Sequence, residues 1–256
     1  MEAEQLVTTT MIDLTQANEI LRECLEATEG SGTFCFHQGS VMGKLRPRRE
    51  AYLCQADKKH DYRYSRSHVL SGQGISAHIQ HFVERYCIRF GEDCENGGVL
   101  VNEYPGEKKA REMYGTTSSV AAHSDNEHEI YMKSTIFSLS VGAPRIFRYR
   151  KKGKDVDGKN YSWQKILTTH GMLITMLPGF QEQYEHEVPK TKSGRSATQK
   201  QANPTTMNPL EYRYNITVRP ACLACEAAGR AACSEGRKRK RESTSTKKST
   251  RTKQPF

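Results

Sequence analysis

His123 and Asp125 stand two residues apart in HSDNEHEI, just before the strand-like run STIFSLSV. In an extended chain, residues i and i+2 point to the same side, so this pair aims an imidazole and a carboxylate at one point. Two ligands hold a metal poorly. A third would come from His170, in TTHGML, or from His186, in FQEQYEHEVPK. Two histidines, one carboxylate and open positions form a facial triad, a donor set suited to Fe(II) chemistry with O2. Spacing alone also fits an ordinary polar loop.

A second stretch, RYNITVR at 213–219, puts Arg213, Asn215, Thr217 and Arg219 on one parity and Tyr214, Ile216 and Val218 on the other. As a strand it has one polar and one apolar face. Many antiparallel strands turn such a face to water. Here the polar residues include two arginines and no acid, which suits a small anionic ligand. A guanidinium grips a carboxylate through two parallel hydrogen bonds, a geometry lysine cannot match.

These groups need a scaffold. TQANEILRECLEATEG reads as a helix capped by Thr15, with Ile20, Leu21, Cys24 and Leu25 on its apolar face and Gly30 at its end. SAHIQHFVERYCIRFG reads as a second, ending at Gly91. Between them lies the basic, tyrosine-rich RPRREAYLCQADKKHDYRYSRS. After Gly91 come short strand-like runs, GVLVNEY, STIFSLSV, RIFRYR, MLITML and RYNITV, separated by the turn signals YPGEKK, GAPR, KKGKDVDGKN and LPG. Helices followed by many short strands predict a mainly β fold, a sandwich or jelly roll with helices packed outside.

The net charge of +10 is uneven: residues 237–256 hold nine Lys or Arg and one Glu, and everything before them carries +2. The tail has too little apolar surface to fold alone, and Arg237–Arg241 has the character of a nuclear localisation signal. No run is long enough to span a bilayer, and the start lacks the order of a signal peptide. An intracellular monomer that does not contact membranes is expected, nuclear if the cell has a nucleus. The eight cysteines read as free thiols. Cys222, Cys225 and Cys233 lack an evident fourth ligand for zinc.

His123-Ser124-Asp125, SLSVGAPRIFRYR, GMLITMLPGFQEQYEHEVPK and RYNITVR together resemble the AlkB family of Fe(II)- and 2-oxoglutarate-dependent dioxygenases. The resemblance runs from about Val99 to Pro220, with a fainter extension back to Pro47. It implies a double-stranded β-helix, or jelly roll, with Fe(II) held by His123, Asp125 and His186, and it makes His170 a turn residue. It implies that Arg213 binds the distal carboxylate of 2-oxoglutarate, with Asn215, Arg219, Asn102 and Tyr104 around the cosubstrate. Glu127 matches an acidic position that reads a damaged base. Tyr62, Tyr64 and Arg48 fall in a looser match to the lid over that base.

The implied activity is oxidative N-demethylation of bases such as 1-methyladenine and 3-methylcytosine in DNA or RNA, using O2 and releasing formaldehyde, succinate and CO2. Alternatives are removal of 6-methyladenine marks from RNA, protein hydroxylation, and a non-catalytic nucleic-acid-binding module. The organisation expected is helices and lid over 1–98, part of the same domain as a jelly-roll core over 99–220, and a Cys-containing linker with a basic tail over 221–256. The polar stretch 191–206 lengthens the gap between His186 and Arg213 and reads as a surface insertion.

Overall fold

The computed structural model describes residues 6–41, 44–55, 61–64, 68–87, 98–125, 134–191 and 211–219. β1 (Val7–Met11) leads into α1 (Leu14–Glu29), followed by the short β2 (Ser40–Val41) and β3 (Lys44–Leu45). Then come β4 (Arg49–Cys54), β5 (Tyr62–Tyr64), β6 (His68–Leu70), β7 (Gly72–Gly74) and α2 (Ala77–Phe82), which continues through a wider π-type turn to Cys87. The remainder is β8 (Gly98–Pro105), α3 (Glu107–Tyr114), β9 (Val120–His123), β10 (Ile136–Gly142), β11 (Arg145–Lys151), β12 (Gln164–Thr168), β13 (Met172–Met176), the turn α4 (Phe180–Gln183), β14 (Tyr184–Val188) and β15 (Tyr212–Arg219).

Seven strands form the larger sheet in the order β1-β13-β10-β15-β8-β4-β7, and four form the smaller, β12-β11-β14-β9. Two packed sheets with outer helices are the expected jelly roll. β1, β4 and β7 complete the same sheet as the later strands, and β8 begins at Gly98. The 221–256 segment, the zinc question at Cys222, Cys225 and Cys233, and nearly all of 191–206 lie outside the described residues. No helix among the described residues is long and apolar enough to cross a membrane.

Strand parity explains the layering. Tyr214, Ile216 and Val218 of β15, Phe137, Leu139 and Val141 of β10, and Val99 and Val101 of β8 share a core with Ile20, Leu21 and Cys24 of α1 and Ile79 and Phe82 of α2. The buried positions Ala17, Ile20, Leu21, Cys24 and Ala27 recur at helical spacing along α1. Asp13 caps that helix, not the expected Thr15: its carboxylate accepts from the Gln16 N–H at 3.1 Å. Glu103, fully buried on the helix side of β8, accepts from Arg49 Nε at 2.5 Å, Arg49 Nη2 at 2.7 Å and Thr28 Oγ1 at 2.8 Å. That cluster fixes the register of β8 and turns Asn102 and Tyr104 to the opposite face.

The opposite face looks towards the smaller sheet. Val7, Ile136, Ile174 and Met176 meet Phe147 and Phe180 in an apolar cluster there. The rest of that face is polar yet buried, and all eight residues of β15 are buried. The water-facing alternative for RYNITVR therefore fails. Burying such groups is costly unless each finds a partner, so this polar interior marks a site.

Candidate metal and cosubstrate site

His123 ends β9 directly opposite His186 in β14. The imidazole centroids lie 4.3 Å apart. Asp125, two residues beyond β9, is 1% exposed. Its Oδ1 is 3.5 Å from His123 Nε2, and its Oδ2 is 3.9 Å from His186 Nε2. One donor atom from each residue fits within 4.8 Å, and no other such group of His, Cys, Asp and Glu occurs among the described residues.

Local contacts prepare each donor. His123 Nδ1 donates to the Ala121 carbonyl at 2.8 Å, which leaves the Nε2 lone pair facing Asp125. His186 is packed against Phe147 and Phe180. Burial, assisted by the neighbouring His123, pushes its pKa down to about 3, so the ring is neutral at physiological pH, the form that binds metals. Burial alone would raise the pKa of Asp125. The Arg219 guanidinium at 2.9 Å and the two imidazoles outweigh it and hold the carboxyl well below its usual range. The Asp125 N–H donates to Gln181 Oε1 at 3.0 Å, and Ser124 Oγ donates to the Tyr184 carbonyl at 2.8 Å. His170 is elsewhere: its Nδ1 accepts from the Gly142 N–H at 3.0 Å, as befits a turn residue.

The anion pocket lies on β15 and its neighbours. Across the β15–β8 ladder Arg213 faces Tyr104 and Asn215 faces Asn102. Arg213 is 2% exposed, with its guanidinium 4.9 Å from the Tyr104 ring centroid. Its Nη2 donates to Ser140 Oγ at 2.9 Å, while Nε and Nη1 have no partner among the described residues. Burial lowers its pKa to about 10. A buried guanidinium with two unanswered nitrogens and no carboxylate beside it suits an incoming carboxylate. Asn215 is already engaged, donating to Ser138 Oγ at 2.8 Å and to the Leu139 carbonyl at 3.0 Å. Arg219 reaches past the pocket to Asp125 and to the Tyr62 hydroxyl.

The expected substrate contacts fare differently. Tyr62 is 2% exposed, stacked on Tyr52 with centroids 4.9 Å apart and hydrogen-bonded to Arg219. It thus braces the metal end from the β5–β6 ribbon and offers little face to a base. Arg48 is also inside: Nη2 is 2.5 Å from Glu50, and Nε donates to Asn102 Oδ1 at 2.9 Å. Its expected place in the lid gives way to a bracing position beneath Asn102, because β4 is an interior strand of the large sheet. Tyr64 lies on β5, and Glu127 lies outside the described residues.

Gly98 makes the Tyr52–Tyr62 stack possible. A Cβ there would lie 1.9 Å from the Tyr52 hydroxyl. Gly98→Ala should displace Tyr52 and cost about 1–3 kcal/mol, the usual range for overpacking, read as a lowered denaturation midpoint. An unchanged midpoint would show that the stack yields freely.

Ser138, Ser140, Arg145 and Gln181 escaped the sequence reading. The alternation S-L-S on β10 was a usable signal, since both serines share a face and lie beside Asn215 and Thr217 in the β10–β15 ladder. Arg145 carried none. Its Nη2 donates to Ser118 O at 2.7 Å and Pro189 O at 3.1 Å, tying the approach to β9 to the exit of β14, with its guanidinium 5.9 Å from the Tyr104 ring.

Residues 6–219 match the family model of the 2OG-Fe(II) oxygenase superfamily. Alpha-ketoglutarate-dependent dioxygenase alkB homolog 3 of Bos taurus is 36% identical over 100 residues, which are 38% of this chain and 32% of that protein. The Homo sapiens protein of the same name is 35% identical over 100 residues, with the same shares. The match spans about a third of the length of these curated relatives. The solved structure of OsALKBH1 superimposes with a TM-score of 0.54 at 17% identity, over 86% of this chain and 100% of that one, a likeness of fold.

Proposed function

The chain belongs to the 2OG-Fe(II) oxygenase superfamily, with AlkB homologues among its sequence relatives, and from that premise we propose that it oxidatively demethylates alkylated bases in DNA or RNA. It is a dioxygenase that uses Fe(II) and 2-oxoglutarate. The observation that carries the reading is the pairing of two features in one interior: three donors within 4.8 Å, two of them buried, and a buried guanidinium with unanswered nitrogens.

The donor chemistry fits the metal, two neutral-nitrogen ligands and one carboxylate leaving positions open. The guanidinium fits the distal carboxylate of 2-oxoglutarate. Bound Fe(II), with O2 and this cosubstrate, supplies the oxidising chemistry. The protein's own residues do the rest. His123, Asp125 and His186 hold the ion. Arg219 holds the carboxylate of Asp125 and Gln181 its backbone N–H. Arg213, turned by Ser140, orients the cosubstrate, and Tyr104 walls it in.

Nucleic acid as substrate is supported by the AlkB homologues among the relatives and by the basic character of the chain. Lesions such as 1-methyladenine and 3-methylcytosine are the proposed targets. Succinate release should rise several-fold when a methylated oligonucleotide is added and formaldehyde should appear with it. Stimulation by a peptide substrate instead would move the reading to a protein hydroxylase, and no succinate at all would leave a binding module.

A further inference from the structure

Most of the chain's net positive charge lies in its tail, but the described fold holds a second concentration. Residues 145–165 carry eight Lys or Arg and two Asp, a net +6. With +8 in the tail and +10 in total, the remaining residues together carry −4. The hairpin of β11 and β12 is therefore a local cationic feature on an otherwise acidic body.

Its outer side is ordered and aromatic. Two guanidiniums lie against the Trp163 ring, Arg148 at 4.7 Å and Arg150 at 4.4 Å from its centroid. Those arginines also pair with Glu187 and Glu185 of β14. Lys151, Lys154, Lys159 and Lys165 have no ion pair among the described residues. The turn is built: Asp155 Oδ1 accepts from the Asp157 N–H at 3.0 Å and the Lys159 N–H at 2.8 Å, which directs that acid inward. The hairpin is rooted at the metal end. Lys152 Nζ donates to the Gln181 carbonyl at 2.7 Å, and the side chain of the same Gln181 accepts from the Asp125 N–H at 3.0 Å.

We infer that the outer side of this hairpin is a track for the phosphate backbone of the nucleic-acid substrate, leading the strand past the metal end. The inference rests on the proposed nucleic-acid reading and adds the surface that holds the polymer. Lysines without ion pairs beside an aromatic surface, here Lys151, Lys154, Lys159 and Lys165 near Tyr161 and Trp163, are the features that bind single strands. A solvated charged face would require neither the arginine contacts of Trp163 nor the built turn.

The chain's one tryptophan is Trp163, so intrinsic fluorescence reports on this surface and not on the tail. The full chain is titrated with a labelled single-stranded methylated oligonucleotide, following oligonucleotide anisotropy and tryptophan emission together. Both should change with one midpoint. Replacing Lys154, Lys159 and Lys165 by Gln should weaken binding about tenfold and lower the slope of log affinity against log salt by about 2, three contacts at roughly 0.7 each. A matched control, Arg22, Lys44 and Lys108 to Gln, should leave the slope near that of the parent. Succinate formation without oligonucleotide should be the same in all three proteins. Saturating anisotropy with flat tryptophan emission would overturn the track while keeping nucleic-acid binding, as would an equal slope in the triple variant or an equal fall in the control. A parent chain that ignores oligonucleotides but changes emission with an acidic peptide would overturn both the track and the nucleic-acid reading.

Discussion

Replacing His123 with alanine is expected to abolish succinate formation from 2-oxoglutarate while leaving thermal stability close to that of the parent chain. The side chain is 36% exposed, and its hydrogen bond to the Ala121 carbonyl is local. Asp125→Ala should lose turnover equally but behave differently in a melt. Asp125 is the carboxylate partner of the buried Arg219, and removing one member of a buried pair costs about 3–5 kcal/mol. For a domain of this size that lowers the midpoint by roughly ten degrees. Retained turnover in His123→Ala would put the metal elsewhere. A melt unchanged by Asp125→Ala would deny the pairing with Arg219 its structural weight.

Arg213→Lys is expected to raise the apparent Michaelis constant for 2-oxoglutarate at least thirtyfold. Lysine keeps the charge but loses the fork, and a broken buried charge-assisted contact costs roughly 2–5 kcal/mol. At 1.4 kcal/mol per decade, the lower bound is about thirtyfold. Ser140 accepts from one Arg213 nitrogen and leaves two unanswered, and an ammonium cannot reproduce that division. Turnover at saturating cosubstrate should fall much less. An unchanged Michaelis constant would place the cosubstrate carboxylate at another cation, such as Arg145, whose guanidinium lies 5.9 Å from the Tyr104 ring.

The residues legible in the sequence were those whose roles follow from local spacing. The shared parity of Arg213, Asn215, Thr217 and Arg219 needed only the strand period, and the ladder sets Asn102 and Tyr104 against Asn215 and Arg213. His186 was singled out by resemblance, since His170 had an equal local claim. What was hidden depends on contacts between distant segments. Arg48 read as a lid residue because its neighbours are basic and aromatic, yet β4 lies inside the large sheet and turns it to Asn102. Tyr62 read as a stacking face, but the space left by Gly98 lets Tyr52 occupy that face. YPGEKK read as a turn, although Gly106 opens α3 and Gly115, at φ 68°, closes it. Arg145 begins a strand inside a stretch that carried the resemblance but assigned it no role, and only the fold brings Ser118 and Pro189 to its guanidinium.

The central claim is that one interior holds Fe(II) and 2-oxoglutarate together on the His123–Asp125–His186 and Arg213 side chains. Anaerobic equilibrium dialysis of the full chain against Fe(II) and labelled 2-oxoglutarate tests it without any nucleic acid. One iron and one 2-oxoglutarate per chain are predicted for the parent. His186→Ala should lose the iron, His170→Ala should keep both, and Arg213→Lys should keep the iron while losing the cosubstrate. Iron retained by His186→Ala but lost from His170→Ala would contradict the account.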